Sequence, residues 1–447
     1  AGRALRAFRQ EVFDASKSGD NQRLEELLNR IGGRAKLDDI AGAIAKLDME
    51  NPAQVNAFLR DISKPSLMDY VMEVWINSIL SGPKTHIVNA LSNTMNMIVS
   101  PLERGAAAGV EQVLARAQGR RVQRFFAEVP ADIYGAMSGI DDGVRAALTT
   151  LRDGITPAQA SKWEFRQTAF KGKLGRIIRA PGTALEAADA MNYSINYSAS
   201  LNANIVRQAR AEGLTGATLL DRIAALKSNP TEALIRSSAA NAEYRLFRAP
   251  PGKVTASLMQ LRDSFPPMRF VIPVLRPPAT LLKFGIARSP LGLLDPTLWR
   301  NLASKSPEAS DQLARVFLGS TLAAGVAWQF GQGKITGAAP KNAAERDRFY
   351  REGKLPYAVN IGGRWIQYQR LEPYNQTLSQ VAAVIEAVNN KEADLSAKVE
   401  QVVASLGANL VSQTYLSGLN NMLDAIQRPD QYGPSFLQRT ASGFVPA

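Results

Sequence analysis

Apolar residues recur every three or four positions along most of the chain, a spacing that predicts amphipathic helices. Short helices of this kind are predicted throughout residues 3–65. The next helix, 66–80, differs because Asp69, Glu73 and Asn77 form one narrow polar stripe on a surface that is otherwise almost entirely apolar. A helix with this pattern is buried in a large assembly or faces lipid.

Two later helices carry stripes of small, neutral polar residues on apolar surfaces. The first follows the helix-stopping sequence Ser81-Gly82-Pro83 and contains the only histidine of the chain, His86. The second lies in DAMNYSINYSASLNANIVRQA, where the polar residues are four apart. Such amides either form hydrogen-bonded ladders between helices of a soluble bundle, or they line a water-filled lumen or bond to other copies in a lipid-embedded oligomer. The candidates for a helix interface or a lumen are Asn89, Asn93, Asn96, Asn192, Asn196, Ser200 and Asn204.

In the second half of the chain, the residue pattern predicts fewer long helices. Nine of the 24 prolines lie between 249 and 296. Because proline lacks a backbone donor and restricts the preceding residue, we expect an extended, wrapping segment with one short helix at 279–287. The uncharged, small-residue run 316–330 is shorter than the roughly 20 residues that span a bilayer as a helix. Alternating strands around a Gly-Gly turn predict a β-hairpin at about 357–371, and helices resume from 374 to about 426.

These elements predict an all-α fold: an elongated, mostly helical subunit with one small β-hairpin and a proline-rich extended segment. The chain opens on a helical pattern without an initiator Met or a signal-peptide core, so we expect it to continue from a longer polypeptide. Four consecutive regions follow from the pattern: short helices over 1–65, apolar and Asn-striped long helices over 66–215, a helix and then the proline-rich linker over 216–310, and a small-residue apolar helix, the hairpin, C-terminal helices and an irregular tail over 311–447.

The charge balance adds a prediction about partners. The chain has 53 basic and 40 acidic residues, a formal net charge of +13, which indicates a polyanion such as nucleic acid or an anionic membrane surface. Two basic clusters suit sequence-independent contact with a phosphate backbone, and the alternative is a solvated face or a membrane-surface anchor. The candidate phosphate contacts are Arg116, Arg120, Arg121, Arg124, Lys162, Arg166, Lys171, Lys173, Arg176 and Arg179.

The sequence contains few residues arranged as a catalytic site would require. The absence of cysteine excludes disulfides, thiolate catalysis and zinc–thiolate sites. A general-base role for His86 would require an activated nucleophile and an orienting acid, and no nucleophile-elbow pattern surrounds it, so a structural role at a helix start is favoured. The segment GQGKITG at 331–337 lacks the first glycine of a phosphate-binding loop and follows a helical rather than a strand pattern. We therefore predict no enzyme activity, no metal and no cofactor in this segment.

Several motifs together resemble one family. LSGPKTHIVNALSN resembles a signature of the internal virion (ejection) proteins of tailed bacteriophages and of related large polyvalent phage proteins. The resemblance continues through APGTALEAADAMNYSINYSASLNANIVRQARAEG and PVLRPPATLLKFGIARSPLG. It extends through the hairpin block ITGAAPKNAAERDRFYREGKLPYAVNIGGRWIQYQRLEPY to the ending SGLNNMLDAIQRPDQYGPSFLQRTASGFVPA, so that it covers about residues 66–447.

The resemblance implies a role in genome delivery, in which proteins stored inside the capsid leave through the tail and build a conduit across the host cell envelope. The implied partners are copies of the chain itself, other virion, ejection or portal proteins, DNA without sequence preference, and the host membrane. The implied location is the virion interior and then the host envelope. Two alternatives remain: a portal- or core-associated virion protein that stays in the particle and organises packaged DNA, and a non-catalytic module of a larger, enzyme-bearing phage polypeptide.

Overall fold

The computed structural model describes residues 67–154, 169–248 and 283–368, apart from positions 338 and 341, together with the isolated positions 65 and 257. These residues are mostly helical, and their β structure is one two-stranded antiparallel hairpin. The predicted all-α class with one small hairpin is therefore confirmed. The helices predicted within 1–64 and beyond 374, and most of the proline-rich segment, lie outside the described residues.

The element bounds agree with the periodicity of the sequence. The first helices are α1 (Leu67–Leu80), α2 (Pro83–Ala117), α3 (Glu128–Ser138), α4 (Ile140–Asp153), α5 (Gly172–Ala211), α6 (Gly216–Ser228) and α7 (Glu232–Arg245). After the second gap come a 3₁₀ helix (Pro290–Leu294), α8 (Pro296–Ala303), α9 (Glu308–Gly331), α10 (Ala343–Arg351), β1 (Ala358–Ile361) and β2 (Arg364–Gln367).

The described residues belong to two compact units. The first contains residues 67–85, 141–154 and 169–191, and the second contains 86–140, 192–248 and the described residues from 283 to 368. Each unit is thus assembled from segments that are distant in sequence. The four consecutive regions expected from the pattern stay a prediction.

The polar stripe of α1 makes specific contacts within the first unit. The Glu73 carboxylate accepts hydrogen bonds from Arg179 Nη1 and from the backbone N–H of Ala169, both at 2.5 Å. Asn77 Oδ1 accepts a hydrogen bond from the backbone N–H of Gly182 at 3.3 Å. A Cβ at Gly182 would lie 2.6 Å from that oxygen, so the close approach requires glycine. The stripe therefore holds α1 against the beginning of α5.

The second unit has small apolar clusters. Ile205 of α5 packs with Leu219 and Leu226 of α6 and Leu234 of α7. Many of its other fully buried apolar side chains are alanines, as at Ala203. Alanine buries little apolar surface, so these side chains form only a small apolar core. Polar and charged side chains make up much of the rest of the interior. These groups form the candidate site described below.

The described end of the proline-rich segment is helical. Residues 283–287 agree with the short helix expected at 279–287, whereas the extended conformation predicted around it is wrong for residues 290–303. Residues 283–287 form a helical turn, and the 3₁₀ helix and α8 follow. Pro290 and Pro296 occupy the first positions of those two helices, where a missing N–H is tolerated. Ser289 Oγ and Asp295 Oδ1 cap them by accepting the N–H groups of Leu291 and Thr297, at 3.2 and 2.9 Å.

The hairpin forms where the Gly-Gly pair predicted it. Gly362 and Gly363 both have positive φ, 58° and 81°, as a two-residue type I′ turn requires. The strands pair in register from Ala358 opposite Gln367. Residues immediately after α9 pack against this hairpin, because Ile335 forms an antiparallel bridge with Val359. The segment GQGKITG is therefore a structural connection in this fold.

Candidate functional site

The first basic cluster is partly committed to internal ion pairs. Both terminal nitrogens of Arg120 donate hydrogen bonds to the Glu111 carboxylate, at 2.5 and 2.8 Å. Arg124 is 6% exposed and forms a two-point ion pair with Asp311. These two guanidiniums therefore stabilise the fold, whereas Arg116 and Arg121 are exposed, and contact with phosphate stays a prediction for them.

The second basic cluster is more accessible. Lys171, Lys173 and Arg176 are exposed, whereas Arg179 pairs with Glu73. The predicted phosphate contacts Lys162 and Arg166 lie outside the described residues. Three exposed cations at the start of α5 leave sequence-independent binding of a phosphate backbone as a prediction.

The amides of α2 point into the second unit. Asn93 and Asn96 are 4% and 3% exposed, whereas Asn89 is half-buried. Asn96 Nδ2 donates a 2.6 Å hydrogen bond to the backbone carbonyl of Arg245 on α7. Asn93 Nδ2 lies 3.4 Å from Asn89 Oδ1. Asn96 thus lies at a contact between two helices of one chain, whereas the hydrogen bond of the buried Asn93 stays within α2.

The polar stripe of α5 is also buried. Asn192, Asn196, Ser200 and Asn204 are at most 7% exposed. Asn196 Nδ2 donates to the carbonyl of Asn192 at 2.9 Å, and Asn204 Nδ2 donates to Ser238 Oγ at 3.0 Å. Three polar atoms of the stripe have no hydrogen-bonding partner among the described residues: Asn196 Oδ1, Ser200 Oγ and Asn204 Oδ1. Buried polar atoms without partners are uncommon and mark positions where a further group fits.

The large aliphatic residues of α2 lie on the opposite side, facing outward. We name as the apolar stripe five residues with exposed fractions between 46% and 69%. These residues are Ile87, Leu91, Ile98, Leu102 and Val113. The helix is therefore inverted relative to an ordinary surface helix, since Asn93 and Asn96 face the interior whereas these five aliphatic side chains face solvent.

Buried ion pairs continue the polar interior. On α3, Glu128 and Asp132 are 2% and 1% exposed. Glu128 Oε2 lies 3.2 Å from Arg104 Nη1 and 2.6 Å from Arg207 Nη2. Asp132 Oδ1 lies 3.0 Å from Arg104 Nε and 2.8 Å from Arg245 Nη2. Two carboxylates thus hold three guanidiniums that come from α2, α5 and α7.

A second group of charges surrounds Tyr244. Arg288 donates to both oxygens of Glu103, at 2.6 and 2.8 Å, and its Nη1 donates to Tyr244 Oη at 3.2 Å. Arg315 of α9 stacks on the Tyr244 ring, with its Cζ 4.7 Å from the ring centroid. The nearest carboxylate oxygen to Arg315, Glu103 Oε2, is 3.7 Å from Nε, beyond hydrogen-bonding distance.

The Glu111 carboxylate is fully buried and fully satisfied. Besides Arg120, it accepts hydrogen bonds from the backbone N–H of Gln123 at 2.8 Å and from Ser310 Oγ at 2.6 Å. Burial alone would raise the pKa of Glu111, but the hydrogen bonds from Arg120, Ser310 and Gln123 bring this pKa below its ordinary value. Glu111 therefore connects α2, the following loop and α9 as a charged group.

These groups surround a cavity of about 250 Å³ in the second unit. We name it the arginine cavity, because six guanidiniums line it. Its charged lining residues are Arg104, Arg124, Arg207, Arg245, Arg288, Arg315, Glu103, Glu308 and Asp311. Asn96, Asn204, Asn241 and Tyr244 are also part of the lining.

The charge inside the cavity changes several pKa values. Burial lowers the pKa of Arg104 and of Arg207, and neighbouring guanidiniums lower both further. Burial alone would raise the pKa of Tyr244, but Arg315 and Arg288 bring it below its ordinary value. The lowered pKa of Tyr244 reports a locally positive potential, whereas the lowered pKa values of the two arginines come first from burial.

The sequence reasoning did not predict this network. It treated the arginines by local clustering, whereas each of these ion pairs joins residues that are at least 24 positions apart. One usable signal was the face of α2 that carries Asn93 and Asn96. At helical spacing that face continues through Glu103 and Glu111, which indicates that the polar interior extends along the helix.

Three further expectations from the sequence concern His86, a metal site and a membrane span. His86 is half-buried near the start of α2, and its imidazole makes no hydrogen bond or ion pair with other described residues. Within the described ranges, no cluster of His, Asp or Glu is arranged to hold a metal ion. None of the described helices combines the length and the hydrophobicity that a transmembrane span requires.

Comparison with known proteins gives no relative: no family model matches the chain, and no match was found among curated proteins or among solved structures.

Proposed function

We propose that this chain is a segment of a phage internal virion (ejection) protein, and that several copies form part of a conduit for DNA across the host cell envelope. The observation that carries the proposal is the inverted orientation of α2. Asn93, Asn96 and Glu111 lie inside the fold, and its apolar stripe faces outward. An exposed apolar row of this length is unusual on a soluble monomer and is typical of an interaction surface.

The spacing of the apolar stripe favours another helix as its occupant. Ile87 and Ile98 are eleven positions apart, and so are Leu91 and Leu102. An eleven-residue repeat returns to the same face of a nearly straight α-helix, so the stripe presents a seam to a helix packed alongside it. The seam runs from Ile87 to Leu102, about 23 Å at 1.5 Å per residue, because beyond Leu102 the same face carries Gly105 and Gly109, which lie next to Val129 and Phe126 of the same chain. We assign this seam to α2 of a second copy of the chain.

The charges of the chain support DNA as the cargo of such an assembly. The net charge is +13, and the arginine cavity accounts for only a small part of it, so most of the excess lies elsewhere. Lys173 and Arg176 are exposed members of that excess at the start of α5. A passage for a whole genome must bind DNA of any sequence. Exposed cations that contact the phosphate backbone, and not the bases, meet this requirement.

The location of the protein before and after genome release tests the proposal. Phage particles that contain this chain would be triggered to release DNA in vitro, purified and quantified by mass spectrometry. An ejection protein is lost from the particle with the DNA, whereas a portal- or core-associated protein remains at full copy number. Full retention of the chain would therefore favour the structural alternative over the proposed role.

The seam itself is tested in solution. Leu91→Glu together with Ile98→Glu places two carboxylates on the apolar stripe and should convert an oligomer into monomers in native mass spectrometry. The matched control is Thr218→Glu, an exposed polar position on α6 and therefore outside the stripe, which should preserve the oligomer. A wild-type chain that is monomeric, or an oligomer that tolerates both glutamates, would assign the stripe to something other than a second copy.

A further inference from the structure

We propose that the arginine cavity binds a phosphate group, as inorganic phosphate or as the phosphate of a small phosphomonoester. This assignment goes beyond the delivery role and does not depend on it. It rests on the charge of the cavity, on the side chains with unused hydrogen-bonding capacity, and on the cavity's size.

The charge of the cavity is not balanced by the protein. Six guanidiniums line it. Four carboxylates contact them: Glu103, Glu128, Asp132 and Asp311. Glu308 also lines the cavity, but it makes no ion pair with the described residues, and even with it counted one positive charge is in excess. An uncompensated buried cation is costly, so an anion in the cavity would stabilise the fold.

The unused hydrogen-bonding capacity lies on neighbouring side chains. Arg315 makes no hydrogen bond within the described structure, although its guanidinium stacks on Tyr244. Tyr244 Oη accepts from Arg288, which leaves its own hydrogen available as a donor. These two donors suit an oxyanion. Asn204 Oδ1 is a buried acceptor without a partner among the described residues, and it suits a protonated phosphate oxygen or a ligand hydroxyl.

Phosphate fits this arrangement better than a smaller anion does. A guanidinium presents parallel N–H donors that match two phosphate oxygens, and its attraction to a doubly charged anion exceeds that to a halide. A water molecule occupies roughly 30 Å³ of liquid, so the volume of about 250 Å³ accepts a phosphate with several waters or with a small ester group. The lowered pKa of Tyr244 agrees with a positive potential at the same place.

Calorimetric titration of the full chain with inorganic phosphate tests the assignment, at constant ionic strength set with sodium chloride. We expect saturable binding at one site per chain. Arg315→Gln keeps much of the side-chain length but removes the charge, and it should weaken binding by about tenfold or more, because a charge-assisted hydrogen bond is lost. The matched control is Arg236→Gln, which removes an exposed guanidinium paired with Glu232 and should leave the affinity unchanged.

A second variant keeps the test decisive if Arg315→Gln does not fold. Tyr244→Phe retains the ring beneath Arg315 and removes only the hydroxyl, so binding should weaken several-fold with the fold intact. Equal affinity in wild type and Tyr244→Phe, or in wild type and a folded Arg315→Gln, would overturn the proposal. A parallel titration with a deoxynucleoside 5′-monophosphate separates free phosphate from a phosphomonoester by which probe binds more tightly. Absence of saturable binding to either probe would also overturn it.

Discussion

Arg124 and Asp311 form a two-point ion pair between residues that are 187 positions apart in the chain. Arg124 Nε donates to Asp311 Oδ1 at 3.0 Å, and Nη2 donates to Oδ2 at 2.8 Å. Burial alone would raise the pKa of Asp311, but Arg124 brings that pKa below its ordinary value. The pair attaches the loop after α2 to the first turn of α9, and both residues belong to the lining of the arginine cavity.

Replacement of Asp311 should be strongly destabilising. Asp311→Asn preserves the shape of the side chain but leaves the Arg124 guanidinium, 6% exposed, without its counter-ion. Removing one member of a buried pair typically costs about 3–5 kcal/mol in the free energy of unfolding, and we expect a loss at the lower end of this range because the Asp311 side chain is 29% exposed. Urea unfolding followed by circular dichroism measures the change. Asp141→Asn is the control, because its ion pair with Arg145 is exposed and should contribute less than about 1 kcal/mol. Equal effects of the two substitutions would contradict the structural role of the Arg124–Asp311 pair.

The stability contributed by Glu111 should depend on pH. Its folded-state pKa is lowered from the ordinary value of 4.5, so the contribution is present above pH 4.5 and is lost as the pH falls towards the folded-state pKa. We expect Glu111→Gln to unfold at a lower urea concentration than wild type at pH 7. The difference between the two should shrink as the pH falls below about 4.5, where the wild-type carboxyl takes up a proton. A difference that is constant from pH 7 to pH 3 would mean that the charge of Glu111 is not what the fold uses.

Two fully buried serines should respond oppositely to the same substitution. Ser238 Oγ accepts a hydrogen bond from Asn204 Nδ2 at 3.0 Å, so Ser238→Ala should destabilise the fold by about 1–2 kcal/mol. Ser200 Oγ has no hydrogen-bonding partner among the described residues, so Ser200→Ala should be neutral or stabilising, by up to about 1 kcal/mol. The two variants serve as controls for each other in thermal unfolding. A substantial loss of stability in Ser200→Ala would show that its hydroxyl is satisfied by a further group.

The local elements were more predictable than the interior. The hairpin followed from Gly362 and Gly363, because few residues other than glycine adopt positive φ at two consecutive positions. The proline-rich end was misjudged, since Pro290 and Pro296 start helices when Ser289 and Asp295 cap them. The arginine cavity could not be predicted from local pattern. Its ion pairs join residues distant in sequence, and only the folded chain shows which arginines find a carboxylate.

Two of the three glycines of α9, Gly319 and Gly325, give the last prediction, because they differ sharply in surroundings. A Cβ at Gly319 would lie 1.7 Å from the backbone carbonyl oxygen of Arg288, whereas a Cβ at Gly325 would meet nothing within 4 Å. Gly325→Ala should therefore stabilise the helix by about 0.5–1 kcal/mol, the usual gain of alanine over glycine in a helix. Gly319→Ala should instead destabilise the fold by about 1–3 kcal/mol, because α9 and the Arg288 backbone must separate.

The displacement of the Arg288 backbone in Gly319→Ala should also change the arginine cavity. Arg288 is held by Glu103 and contacts Tyr244, so a displaced Arg288 backbone should weaken phosphate binding in Gly319→Ala and leave it intact in Gly325→Ala. Thermal unfolding and the phosphate titration, run on both variants, measure the two effects. If Gly319→Ala were as stable as Gly325→Ala, the close packing of α9 on Arg288 would be refuted. If Gly319→Ala were destabilised yet bound phosphate normally, the packing would stand, and the positioning of Arg288 would not govern the site.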